Sequence, residues 1–226
     1  MTPPWLRPLV DAAARARPED LSRFAPPERA TRQSAVLLLL GDGPAGPDVL
    51  LIERSPDLRS HAGQPAFPGG RIEATDDGPA AAAVREAVEE TGLDPAGVDV
   101  LVTLPALWLP ASRYVVHPVL AWWREPSAVA PVDRAEVVAV ERVPIAELAD
   151  PANRLQVRHP SGDVGPAFAV RGLLVWGFTA RVVAGVLALA RWERPWNPGR
   201  VEDLPDEVVR LAARTAARSD DVAATT

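Results

Sequence analysis

Residues 79–91 carry the most regular helical pattern in the chain, and this pattern separates small side chains from acidic ones. Asp77 is a candidate N-cap before the helix, and Gly92 and Pro95 end it. With roughly 100° of rotation per residue, the small side chains fall in one stripe centred on Val84, which suits close packing on a sheet. Three carboxylates fall on the opposite side. The small residues are Ala80, Val84, Ala87, Val88 and Thr91, and the acidic ones are Glu86, Glu89 and Glu90.

The three carboxylates indicate either a solvated helix face or a metal site. Glu86 and Glu90 are four residues apart, and like charges at that spacing destabilise a helix by about 0.2–0.5 kcal/mol. The segment before the helix contains Phe67-Pro68-Gly69-Gly70, where glycine allows close approach of the backbone to a ligand and leaves carbonyl oxygens free. Carboxylates with a backbone carbonyl form a hard oxygen site suited to Mg²⁺ or Mn²⁺. The glycines therefore favour the metal site.

Composition excludes several classes of protein. The 226-residue chain has no Cys, which removes disulfides, thiolate nucleophiles and cysteine-based metal centres. Its net charge of −6 disfavours general nucleic-acid binding, which relies on phosphate neutralisation. We find no apolar run of the roughly 20 residues that a membrane span needs, and no signal peptide, so we expect a cytoplasmic protein without a membrane partner. The oligomeric state stays open.

Strand and helix patterns alternate irregularly, which predicts one mixed α/β domain and not a doubly wound sheet. Turn-forming residues 41–47 separate two short aliphatic runs that form a predicted hairpin. Pro and charged residues become frequent from Glu193, and Arg214–Thr226 is a predicted mobile tail. The predicted helices are Trp5–Ala16, Pro79–Thr91, the turn Ile145–Ala149 and Gly177–Trp192, and the predicted strands are Ala35–Leu40, Val49–Glu53, Val98–Leu107, Tyr114–Trp122 and Val137–Val143.

Residues 70–93, GRIEATDDGPAAAAVREAVEETGL, resemble the Nudix box. The family pattern is Gly, five residues, Glu, seven residues, then Arg-Glu-aliphatic-x-Glu-Glu-x-Gly-aliphatic. Residues 85–93 match this second half closely. The first half is one residue longer than the general box, and Asp76 or Asp77 replaces the expected Glu. The sequence therefore leaves the carboxylate partner of Arg85 open between these two aspartates.

The longer box and the segment before it resemble the coenzyme A diphosphatase branch of the Nudix hydrolases. That branch carries approximately Leu-Leu-Thr-x-Arg-Ser, then Arg, Gly, Val and Phe-Pro-Gly-Gly, and residues 50–70 read LLIERSPDLRSHAGQPAFPGG. Ile52 stands for Thr and Pro65 for Val. Residues 176–180, WGFTA, are similar to the Trp-Gly-x-Thr-Ala that opens the last helix of this branch. The matching residues of the first segment are Arg54, Ser55, Arg59, Gly63, Phe67, Pro68, Gly69 and Gly70.

The resemblance implies a single-domain Nudix fold, a mixed β-sheet sandwiched between helices, over residues 34–195. Residues 1–33 then form an N-terminal helix and connecting loop, and 196–226 a C-terminal extension. The implied activity is metal-dependent hydrolysis of coenzyme A or acyl-CoA to adenosine 3′,5′-bisphosphate and (acyl-)4′-phosphopantetheine. The implied metal ligands are Glu86, Glu89, Glu90 and the Gly70 carbonyl, with Arg85 as a further catalytic residue; the implied substrate-binding residues are Arg54, Ser55, Arg59, Gly63, Phe67, Gly69 and Gly70.

Two other functions remain open. One is a Nudix diphosphatase for another nucleoside diphosphate derivative such as ADP-ribose or NADH, with Ile52 and Pro65 marking a lost coenzyme A site. The other is a catalytically idle Nudix domain that senses a nucleotide, which the intact Glu86, Glu89 and Glu90 disfavour.

Several further side chains have two interpretations each. Arg54, Arg59 and Arg71 are candidate phosphate ligands, since guanidinium groups bind phosphate in bidentate fashion, or surface residues that favour solubility. Arg54 and Arg59 are also the candidates for the 3′-phosphate of coenzyme A. The remaining residues are His117, read as a strand histidine with a partner; His61, a loop residue or a phosphate contact; Trp108, a core residue or a stacking surface for adenine; and Glu136 and Glu141, either of which could supply an extra ligand or base.

Overall fold

The computed structural model describes residues 2–21, 32–58, 61–110 and 112–211. The helices are α1 (Arg7–Ala13), α2 (Pro18–Leu21), α3 (Pro79–Thr91), α4 (Ile145–Ala149) and α5 (Gly177–Leu189), with 3₁₀ turns at Pro95–Gly97 and Pro151–Asn153. The strands are β1 (Arg32–Gly43), β2 (Gly46–Arg54), β3 (Pro65–Ala66), β4 (Gly69–Arg71), β5 (Val98–Thr103), β6 (Leu107–Leu109), β7 (Tyr114–Trp123), β8 (Val137–Pro144), β9 (Arg154–Arg158), β10 (Val164–Val170), β11 (Leu173–Val175) and β12 (Val201–Asp203).

The larger of two sheets has eight strands and mixed pairing. Its main order is β3-β2-β1-β7-β5, with β4 on β1, β6 on β7 and β8 on β2. Only β1 and β7 run parallel; the other pairs in this sheet are antiparallel. The β1–β2 hairpin confirms the prediction, but its ladder continues to Gly43 opposite Gly46. The predicted loop at 41–47 is therefore wrong, because most of it is strand.

Helices cover both faces of this sheet, which confirms the mixed sheet between helices. Helix α3 lies on one face, where its small residues pack on Ala35, Leu37 and Leu39 of β1. Helices α1, α2 and α5 lie on the other face, over Leu38 and Leu40. Consecutive β1 residues thus point into two separate apolar clusters, as the period of two in a strand requires.

Helix α3 has the predicted bounds but a different orientation. Ala83 and Ala87 are fully buried, whereas Val84 is only half-buried, so the packed stripe is centred near Ala87 and not on Val84. This rotation carries Glu90 onto the sheet side of the helix. The N-cap is also Gly78 and not Asp77, while Gly92 ends the helix in the left-handed conformation as predicted.

The sequence patterns missed the second sheet, which has the order β11-β10-β9-β12. Its apolar side is small and contains Leu155, Val157 and Ala167 together with Leu204 from beyond β12. Strand β12 pairs in parallel with β9, so residues 201–203 of the C-terminal extension join this sheet. The predicted mobile tail, Arg214–Thr226, lies outside the described residues.

No helix in the described part of the chain has the length and apolarity that crossing a membrane requires.

Candidate active site

Two glycines of β4 bring the sheet into direct contact with the acidic side of α3. Gly70 pairs with Ala35 of β1, and a Cβ built on Gly70 would lie 2.3 Å from the carboxyl carbon of Glu86. A Cβ on Gly69 would lie 2.3 Å from the Ala35 carbonyl oxygen. A side chain at residue 69 would clash with the backbone of β1, and one at residue 70 would displace the Glu86 carboxylate, so the two glycines permit this approach of backbone and carboxylate.

Glu90 is buried against this glycine pair. Its side chain is 6% exposed, Oε2 accepts a hydrogen bond of 2.9 Å from the Gly69 backbone N–H, and Oε1 lies 3.3 Å from Nη1 of Arg54. Burial raises the pKa of Glu90 to about 7, although Arg54 and the Gly69 N–H both lower it. The helical pattern placed Glu90 on the exposed face, and the rotation of α3 corrects this prediction.

Arg85 connects the other carboxylates. Its Nε and Nη2 donate to Asp76 Oδ1 and Oδ2 at 2.9 and 3.0 Å, which identifies Asp76, and not Asp77, as its bidentate partner. Nη1 donates to Glu86 at 3.1 Å and to Glu89 at 3.0 Å. The hydrogen bonds from Arg85 lower the pKa of Asp76, while burial raises the pKa of Glu86.

The residues at this site fit a divalent cation. Glu86 and Glu90 are hard oxygen donors, and each carries a raised pKa because desolvation by burial outweighs the attraction of its arginine partner. A bound cation would add positive charge beside both carboxylates. Within the described ranges no three acidic or histidine side chains converge as a ready-made metal cage, since Arg85 and Arg54 hold these carboxylates by ion pairs instead. Glu89, at 57% exposure, faces outward.

Arg54 brings a charged side chain of the pre-box segment (residues 50–70) to the acidic cluster. Besides its contact with Glu90, it has a buried Nε without a hydrogen-bond partner among the described residues. Three other buried N–H groups, on Trp122, Trp123 and Arg142, also lack a partner in the described residues. The Nε of Arg54 belongs to the side chain that contacts the acidic cluster, where a bound acceptor would satisfy it. Nothing in the sequence signals the pairing of Arg54 with Glu90, because the two lie 36 positions apart.

The other predicted substrate-binding residues of the pre-box segment make contacts within the protein. Ser55 is buried and donates its backbone N–H to the Glu136 carbonyl at 2.8 Å. Gly63 donates to the Arg54 carbonyl at 3.1 Å from a positive φ of 66°, and Phe67 is buried in the core. Their predicted contacts with a substrate stay predictions. Arg59 lies outside the described residues.

The WGFTA motif also contacts the pre-box segment. Thr179, in the first turn of α5, donates its hydroxyl to the Pro65 carbonyl at 3.1 Å. The two stretches that resemble the coenzyme A branch therefore meet in space, although they are 114 positions apart.

The remaining candidate residues differ in their surroundings. Of the two candidate extra acids, Glu136 raises the pKa of Glu90. Glu141 lies on β8 opposite Leu51 of β2, and its charge raises the pKa of Arg171. His117 confirms its prediction, with Nε2 2.7 Å from Oε1 of Gln33. The His61 Nδ1 lies 3.2 Å from Gln64 Oε1.

This glycine-backed acidic cluster, on a helix packed against a mixed sheet, belongs to the class of Nudix domains. The NUDIX domain family model matches residues 30–163. The chain is 38% identical over 172 residues to the uncharacterized Nudix hydrolase NudL of Cronobacter sakazakii, an alignment that covers 73% of this chain and 85% of NudL. The chain therefore belongs to the Nudix hydrolase family, whose members act on nucleoside diphosphate derivatives and generally use divalent metal ions.

Two further likenesses agree with this assignment. A probable nudix hydrolase of Schizosaccharomyces pombe is 33% identical over 160 residues, which cover 70% of this chain and 56% of that longer protein. The crystal structure of RenU, a Nudix hydrolase from M. smegmatis, superposes with a TM-score of 0.51 at 22% identity, over 73% of this chain and 89% of RenU. At that identity the superposition shows the fold alone.

Proposed function

We propose that this protein hydrolyses the diphosphate of coenzyme A or acyl-CoA to adenosine 3′,5′-bisphosphate and (acyl-)4′-phosphopantetheine. The observation that carries the proposal is the contact between Arg54 and Glu90 at 3.3 Å, because it joins the segment that resembles the coenzyme A branch to the acidic cluster. The unpaired Nε of Arg54 supports a phosphate oxygen as the missing acceptor.

The acidic side chains divide the chemical work. Glu86 and Glu90, with Glu89 and the Gly70 carbonyl, would hold Mg²⁺ or Mn²⁺. When bound, the cation neutralises the diphosphate and lowers the pKa of water. Arg85 fixes the positions of Glu86 and Glu89, and the Gly69 N–H fixes Glu90. Glu89 is the most exposed of the three carboxylates, and it accepts the proton of the water that attacks phosphorus as the P–O–P anhydride bond breaks.

A substrate panel tests this proposal. Purified enzyme is incubated with coenzyme A, acetyl-CoA, dephospho-coenzyme A, ADP-ribose or NADH, with Mg²⁺ or Mn²⁺, and the products are identified by mass. We expect the highest kcat/KM for coenzyme A or its thioester. Faster cleavage of ADP-ribose or NADH would leave only a general Nudix diphosphatase. The absence of turnover on every compound with either ion would favour a nucleotide-sensing domain without activity.

A further inference from the structure

Four neighbouring strands form one face of the sheet beside α3. The order across this part of the sheet is β4-β1-β7-β6, since β4 pairs with one edge of β1, β7 pairs with the other, and β6 pairs with β7. The row that contains Gly70 continues through Ala35 to His117. The next row contains Gln33, Val115 and Trp108. Residues directly opposite each other in a ladder share a face, so both rows lie on one side of the sheet.

That side is the α3 side. Val119 and Trp123 of β7 belong to the apolar cluster under α3, and Val115 and His117 follow the same alternation. Leu107, next to Trp108 on β6, is buried in the cluster on the opposite face. Trp108 therefore points to the same side of the sheet as Gly70, and its strand β6 lies three strand spacings, or about 14 Å, from β4.

The side chains on this surface suit a flat heterocycle. The Trp108 indole is half-buried, and no hydrogen bond or ring contact engages it within the described part of the chain. Beside it, His117 and Gln33 form a half-buried polar pair. Burial lowers the pKa of His117, so the imidazole is uncharged at neutral pH and adds no charge that would repel or attract a neutral base.

We infer that Trp108, with the His117–Gln33 pair beside it, binds the base of the nucleoside diphosphate whose phosphates lie at the acidic cluster. This inference rests on the proposed function for the position of the diphosphate, but not on coenzyme A being the substrate. Aromatic side chains bind bases by stacking, and alanine substitution of such a side chain weakens binding by about 1–3 kcal/mol per base, which corresponds to about 5- to 150-fold.

Calorimetric titrations with two probes test the inference. ADP carries a base, and inorganic pyrophosphate does not. At equal free Mg²⁺, Trp108→Leu should weaken ADP binding about 5- to 150-fold and leave pyrophosphate binding unchanged, while Trp108→Phe should retain most of the ADP affinity. The matched control is Trp122→Leu, because Trp122 is a half-buried tryptophan of β7 that packs into the cluster on the opposite face. It should bind both probes as the wild type does.

A spectroscopic readout keeps the test decisive if Trp108→Leu does not fold. The indole N–H resonance of Trp108 is assigned by its disappearance in Trp108→Phe, and we expect it to shift when ADP is added but not when pyrophosphate is added. Equal losses for both probes in Trp108→Leu, or an indole resonance that does not respond to ADP, would overturn the base site. If the wild type does not hydrolyse coenzyme A but its ADP binding still depends on Trp108, only the choice of substrate would be overturned.

Discussion

Two buried carboxylates of this protein face arginines, and they differ in how closely the arginine contacts them. Asp48, at the start of β2, lies 2.8 Å from Nε of Arg142 and accepts a hydrogen bond of 3.0 Å from its Nη2. Glu90 accepts one longer hydrogen bond of 3.3 Å from Arg54 and one of 2.9 Å from the Gly69 N–H. Both arginines keep a buried Nε without a hydrogen-bond partner in the described residues. Burial raises the pKa of both carboxyl groups.

The surroundings explain the difference. Asp48 sits where Gly41 and Gly43 leave room for it, and its partner Arg142 stacks 4.7 Å from the Trp123 ring, so this pair joins three strands. Glu90 has Glu86 nearby, which raises its pKa further. A buried acid alone therefore does not identify a functional site. Glu90 differs from Asp48 in its position, because its helix also carries Glu86 and Glu89 and it lies against the backbone of Gly69.

The largest expected effect comes from a buried acid without any partner. Ala87 lies three residues before Glu90 and is fully buried. Ala87→Asp should lower the free energy of unfolding by about 4 kcal/mol or more, because nothing compensates the desolvated carboxylate. Val84→Asp is the matched control and should cost about 1 kcal/mol, since Val84 is half-buried. Urea unfolding measures both; equal losses would mean that the orientation of α3 is wrong.

The second prediction separates catalysis from stability. Glu90→Gln should reduce kcat/KM by at least about 100-fold, because it removes a proposed metal ligand, and the loss of a ligand costs more than the loss of a group that only orients one. Asp48→Asn should leave activity unchanged while lowering the free energy of unfolding by about 3 kcal/mol, since it breaks a buried ion pair. Steady-state kinetics and urea unfolding of both variants measure this. Similar losses of kcat/KM in the two variants would mean that the Glu90–Arg54 and Asp48–Arg142 pairs do not differ in function.

The third prediction concerns the pH dependence of stability in the metal-free protein. The pKa of Glu90 is about 7 in the folded chain and 4.5 ordinarily, so the unfolded chain releases this proton first as the pH rises. Stability is therefore lost between pH 4.5 and 7, and the full loss persists above pH 7. At about 1.4 kcal/mol per pKa unit, the full loss is about 3.5 kcal/mol, of which about 2–3 kcal/mol falls between pH 5 and pH 8.

Urea unfolding in chelator at pH 5 and pH 8 measures this loss. The change in unfolding free energy of Glu90→Gln between the two pH values is subtracted from that of the wild type. This difference removes the contribution of Asp48, which both proteins share. Added Mg²⁺ should restore the stability of the wild type at pH 8, because the ion binds the folded, ionised form. The prediction fails if the wild type and Glu90→Gln show the same pH dependence.

The smallest expected effect concerns Arg54. Under the proposed function, its contact with Glu90 favours a role at the phosphates to be cleaved over a role at a separate 3′-phosphate. Arg54→Gln should therefore lower kcat/KM for coenzyme A and dephospho-coenzyme A equally, by roughly tenfold, as expected for one charge-assisted hydrogen bond. Kinetics on the two substrates decide this. A loss confined to coenzyme A would return Arg54 to the 3′-phosphate, for which Arg59 otherwise remains the candidate.

Local patterns predicted the parts of this fold that local forces determine. The bounds of α3 and α4 follow from periodicity and from residues such as Gly92 at the helix end. The orientation of α3 did not follow, because alanines surround most of the helix and only the approach of Gly69 and Gly70 selects the side that packs. The second sheet was missed because its strands are short and its order depends on distant pairing, such as β12 with β9.

In the candidate site, too, local features were predictable from the sequence and contacts between distant residues were not. The box residues were identifiable because a helix sets Glu86, Glu89 and Glu90 at fixed spacing. The contact between Arg54 and Glu90, and the choice of Asp76 over Asp77, depend on how a loop and a strand return to the helix. No spacing in the sequence encodes those distances.

The most direct test of the central claim is a Mn²⁺ titration followed by electron paramagnetic resonance of the free ion. The claim is that the acids of α3 bind a divalent cation, whereas the buried Asp48 serves only the fold. We predict that the wild type and Asp48→Asn bind Mn²⁺ with the same affinity, and that Glu90→Gln binds it at least tenfold more weakly. Wild-type affinity in folded Glu90→Gln, or a matching loss in Asp48→Asn, would contradict the claim.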